Sequence, residues 1–128
     1  MAKIPEYRLQ VLVDMRERKK EEAEKHLGAC LQALKAEQDR LAVMEKELER
    51  MVLRRQTKKR EYAEKTMKGE MNAQATISAN VYIDRLKEEE TAQKNAIEGQ
   101  REVIRQKEED VKAAREALTK ATQDLKAL

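Results

Sequence analysis

Apolar residues recur through the first half of the chain in two interleaved seven-residue series. One reads Val13, Lys20, Leu27, Leu34, Leu41, Leu48, Arg55 and Tyr62; the other reads Leu9, Arg16, Ala23, Cys30, Glu37, Met44, Met51 and Lys58. They alternate by four and three residues, the spacing that lays one stripe along a helix built to pack against another. From Leu27 to Met51 the stripe is apolar except at Glu37. The second half repeats the pattern with Ile83, Glu90, Ile97, Ile104, Val111, Leu118 and Leu125, partnered by Ala79, Leu86, Gln93, Gln100, Lys107, Ala114, Ala121 and Leu128.

Between the halves lies "KGEMNAQ", where Gly69 suits a left-handed helix stop and Asn72 suits a helix cap. Pro5 suits a first helical position, followed by Glu6 at the positive end of the helix dipole. The expectation is helix one over about 5–67, a turn over about 68–72 and helix two over about 73–128. Surface pairs at four-residue spacing (Asp14–Arg18, Glu21–Lys25, Glu61–Lys65, Glu64–Lys68) support the first helix. A short turn makes the helices antiparallel. The fold class is therefore all-α, a single long antiparallel two-helix coiled-coil hairpin, with legs of roughly 85–95 Å at 1.5 Å per residue. Facing residues then have numbers summing to about 141, which sets Met44 against Ile97, Cys30 against Val111, Leu27 against Ala114 and Ala23 against Leu118.

The stripe is broken in "LRRQTKKREY". In that register Arg55 faces Leu86, Lys58 faces Ile83 and Met51 faces Glu90, with Glu88 and Glu89 also opposite the basic run. Long basic stems can cover apolar neighbours while their charged heads reach water or those glutamates. Ile83 and Leu86 are expected to be thinly covered, and thin cover invites a partner. At the open end Val13 already meets Leu128, so Leu9, Val11 and Leu12 lack a partner in this chain. Docking elsewhere, or a natural chain that continues past Leu128, would resolve that.

Composition leaves helix and disorder open, and periodicity decides between them. Charged residues make up 41 % and aromatics 2 %, which alone would fit a disordered chain. The sustained heptads, the one Pro and the three Gly favour long helices instead. The net charge of +3 comes from 28 basic and 25 acidic residues, a balance typical of salt-bridged helix faces and poor for nucleic acid. The two halves differ: residues 1–68 carry 18 basic and 13 acidic side chains, and residues 69–128 carry 10 and 12. Cys30, the one cysteine, leaves no intrachain disulfide; with no signal-peptide run and no membrane-length apolar segment, a cytoplasmic home without membrane insertion is expected.

Catalysis needs convergent groups, and the sequence offers none. His26 and Cys30 share one helical face, but two ligands from one turn make no metal site. There is no phosphate-cradling glycine loop and no nucleophile elbow. A non-enzyme without cofactor or metal is the expectation.

"YRLQVLVDMRERKKEEAEK" resembles the opening of the FliJ/YscO family: an aromatic, Arg-Leu-Gln, an apolar pair, then Arg-Glu and a charged helix. "MNAQATISANVYIDRLKEEE" resembles the family's turn and its aromatic–Ile–x–x–Leu helix start, here Tyr82, Ile83 and Leu86. The resemblance implies a central stalk of the flagellar or type III export ATPase, cytoplasmic and at the base of the secretion apparatus. The open end would enter the hexameric ATPase ring, with ring contacts on Arg8, Leu9, Leu12, Arg16, Arg18, Lys19 and Lys20. Contacts to the cytoplasmic domain of the export gate would fall on Tyr82, Leu86, Glu89 and Gln93, the last two departing from the residues of a flagellar member. Some members also bind export chaperones. The alternative is a cytoplasmic coiled-coil scaffold or chaperone-like hairpin with no ATPase partner.

Overall fold

The computed structural model describes residues 5–128. It contains two helices, α1 (Glu6–Met67) and α2 (Ala73–Lys126), and no strand among the described residues. The fold is an all-α helical hairpin with coiled-coil-like packing. The Pro5 carbonyl accepts the first turn's bonds from the backbone N–H of Arg8 and Leu9, at 3.0 and 3.1 Å.

The turn is built from side-chain and glycine chemistry. Gly69 takes φ 70°, a conformation that costs a Cβ-bearing residue free energy. It lets Glu70 N–H reach the Lys65 carbonyl at 2.9 Å and Gly69 N–H reach that of Thr66 at 3.1 Å. Those are the two bonds of a Schellman stop, and they satisfy carbonyls that α1 would otherwise leave unpaired. Asn72 Oδ1 accepts a hydrogen bond from Ala75 N–H at 2.7 Å, which caps α2.

Contacts divide the chain into two units, Met1–Gln38 with Val103–Leu128, and Asp39–Glu102. In each unit α1 and α2 pack side by side along the seven-residue stripes. Buried residues lie on α2 alone: Ala79, Leu86, Glu90, Ile97, Gln100, Ile104, Val111 and Ala114. Their steps are all threes, fours or sevens, so they form one stripe. The matching stripe of α1 is half-buried at every position from Val13 to Tyr62. A two-helix seam has no third layer, so the large Leu and Met side chains of α1 cover their neighbours on α2 while keeping one flank in water.

Contacts across the seam agree with the antiparallel register. In Asp39–Glu102, Arg55 meets Glu90, Gln93 donates to the Met44 carbonyl at 3.0 Å, and Arg101 approaches Glu45 at 3.7 Å. In the other unit, Arg16 donates to the Asp124 carbonyl at 2.5 Å. The residue numbers of the pairs sum to between 137 and 146, on both sides of 141 and within a long side chain's reach along one or two helical turns. The surface pairs differ from expectation. Asp14 accepts from Gln10 at 2.9 Å, and Glu61 pairs with Lys58 rather than Lys65. Exposed pairs of this kind are worth so little that neighbouring rotamers exchange them.

Candidate functional site

The break in the α1 stripe is closed by an ion pair. Arg55 Nε–H donates to Glu90 Oε2 at 2.6 Å, with side chains 23 % and 6 % exposed. The Arg55 guanidinium therefore extends past the Leu86 level to a carboxylate. The side chain reaches one turn along α2 and leaves its methylene stem in the seam. Leu86 is 5 % exposed and Ile83 half-buried, so the thin cover expected at Leu86 is corrected. Arginine is long enough to fill a heptad position and satisfy a carboxylate together. Lys58, one turn on, bonds Glu61 at 3.2 Å; that hydrogen bond, with the carboxylate's charge, holds its amine above the ordinary lysine value.

The stripe Tyr82, Leu86, Glu89 and Gln93 divides accordingly. Leu86 is a seam residue, and Gln93 is half-buried with its amide committed to the Met44 carbonyl. Tyr82 is half-buried, with the Arg85 guanidinium 5.3 Å from its ring centroid. Glu89 is exposed beside Arg85 at 3.7 Å. Of that stripe, Tyr82 and Glu89 stay open to solvent, with exposed Arg85 between them. Arg85 is the residue that sequence reasoning missed; its three-residue spacing from an aromatic is the signal that could have found it.

In the other unit the charged and apolar residues at the start of α1 behave differently from one another. Leu9 is 39 % exposed, Arg8 sits 6.0 Å over the Tyr7 ring, and Arg18 and Lys19 are exposed. Leu12, Arg16 and Lys20 are half-buried, Arg16 tied to Asp124 and Lys20 4.0 Å from Glu24. Tyr7, Leu9, Val11 and Met15 leave apolar surface in water next to these cations. His26 Nε2 lies 3.6 Å from Cys30 Sγ, and among the described residues no three His, Cys, Asp or Glu side chains gather as a metal site would require.

A family model described as "YscO-like protein" matches residues 4–128. No curated protein and no solved structure matches the chain.

Proposed function

Because this chain belongs to the YscO-like family, a type III secretion family not known for enzymes, we propose that it is the non-catalytic central stalk of a type III protein export apparatus. In this reading it works in the cytoplasm at the base of the apparatus. The start of α1 enters the hexameric export ATPase, and the α2 region around Tyr82 meets the cytoplasmic domain of the export gate. Export chaperones are further partners.

The observation that carries the reading is the family match along residues 4–128 of a two-helix chain. Two surface features support it. Exposed Leu9, Val11 and Met15 stand beside Arg8, Arg18 and Lys19, a mixture suited to an acidic pore with apolar walls. Tyr82 with Arg85 offers an aromatic and an arginine together, the residue types that dominate binding energy at protein interfaces. No helix among the described residues is long and apolar enough to cross a membrane.

The test is pull-down against the export ATPase with its hydrolysis rate and hexamer formation measured. Leu9→Glu with Leu12→Glu should abolish stimulation and spare gate binding. Tyr82→Ala with Glu89→Arg should do the reverse. Failure of the unaltered chain to bind the ATPase or change its rate would leave a coiled-coil scaffold without an ATPase partner as the better description.

A further inference from the structure

Near the turn, within Asp39–Glu102, a cleft of about 500 Å³ opens between α1 and α2. This is inside the range of ligand-holding clefts, roughly 300–1,000 Å³. Its apolar part comes from Tyr62, Met71, Ala79 and Ile83. Lys59 and Lys87 also line it, one from each helix, and neither ammonium has an ion-pair partner among the described residues. Asp84 is the acid in its walls. The cleft exists because the residues around it are small: Ala63, Thr66, Thr76 and Ala79 stand where larger side chains would fill the space.

Apolar surface continues outward from both walls. Met67 follows Ala63 by one turn on α1 and is 89 % exposed. Ile77 and Val81 lie one turn apart on α2, beside Asn80 and Asp84 of the wall, and are 58 % and 64 % exposed. Tyr82 does not line this cleft: its heptad position puts it across the seam from Asn80 and Lys87.

We propose that this cleft is a docking site for an acidic amphipathic segment of a partner protein. Its apolar side chains enter between Tyr62 and Ile83, and its carboxylates pair with Lys59 and Lys87. Three observations favour that occupant. The cleft is concave, and an apolar helix face fits a groove between helices. Exposed Met67, Ile77 and Val81 flank it, so an apolar helix face finds further apolar surface beyond the cleft. Its two lysines outnumber its one aspartate, so a carboxylate-bearing ligand gains where a basic one is repelled. An anionic lipid surface would share the charge preference, but lipid engages convex faces and would leave the cleft empty. The cleft shares no lining residue with the start of α1 or with Tyr82, Arg85 and Glu89, so the proposal does not depend on the stalk role.

The probe is a short fluorescein-labelled peptide with leucines at helical spacing and glutamates elsewhere, followed by anisotropy against the full chain. Saturable binding tighter than about 1 mM is expected. Lys59→Glu with Lys87→Glu should weaken it at least about tenfold and transfer preference to the lysine-for-glutamate peptide. Ala63→Gln adds bulk without charge at an exposed position of the cleft wall. It should weaken the glutamate peptide by about threefold or more, with helicity by circular dichroism unchanged. The proposal is overturned by absence of saturable binding to the unaltered chain. It is equally overturned if binding ignores all three substitutions, or if the chain binds phosphatidylserine-containing vesicles but not the peptide. None of these results bears on ATPase binding, so the two readings stand or fall separately.

Discussion

The Arg55–Glu90 pair sits where the stripes would otherwise have carried leucine and isoleucine, and its two members are unequally buried. The Glu90 side chain is 6 % exposed and that of Arg55 is 23 % exposed. Removing either partner should therefore have different consequences. In Arg55→Leu the carboxylate stays in the seam without its donor. Breaking a buried pair costs about 3–5 kcal/mol; the partly open Arg55 side admits water, so about 3 kcal/mol is expected here. In Glu90→Ile the guanidinium can swing into solvent, since its long stem already has an open flank. The lost pair is then largely offset by new apolar burial, worth roughly 1.5–3 kcal/mol for a fully buried isoleucine, and the net change should be within about 1 kcal/mol of zero. Combining Arg55→Leu with Glu90→Ile carries the apolar stripe on past Leu48 on α1 and joins Ile83 to Ile97 on α2. That double variant should equal or exceed the wild-type stability by about 1–4 kcal/mol. Denaturant titration followed by circular dichroism at helix wavelengths reads all four proteins. Light scattering on the same samples reports whether the apolar double variant recruits further helices, which a buried polar pair discourages. Equal losses from the two single substitutions, or a double variant less stable than both, would refute the claim that unequal burial sets the energetics.

The helix ends and glycines give quieter tests. Gly69→Ala places a Cβ at φ 70° and should cost about 1–2 kcal/mol in the same titration. Asn72→Ala removes the acceptor for Ala75 N–H and should cost about 1 kcal/mol, whereas Asn72→Asp should cost little. Gly28 and Gly99 lie inside helices, and a Cβ at either would meet nothing within 4 Å, so each change to Ala should stabilise by up to about 1 kcal/mol. A loss at either position would mean that hidden packing uses the missing side chain. For the surfaces, Leu86→Asp should unfold the region around it rather than report on a partner, because Leu86 is buried; Tyr82→Ala should keep wild-type helicity.

The seam was legible because helical period alone chooses a face. The α1 positions picked by seven-residue counting, from Val13 to Tyr62, are all half-buried, and the buried α2 residues fall on the other pair of series. Gly69 and Asn72 were legible because so few residues suit a left-handed stop or a cap. Period is silent on which of two facing positions ends up covered. That depends on side-chain length: from its seam position Arg55 is long enough to reach Glu90, and Leu86 is buried where a gap was expected. The cleft was illegible for the same reason. Ala63, Thr66, Thr76 and Ala79 are spread over two helices and show no run in the sequence, yet the turn brings them together, and their smallness leaves space under two lysines. In a chain this regular, the departures that matter are those of size across the seam, where a long residue closes a layer and a cluster of short ones opens a surface for something else.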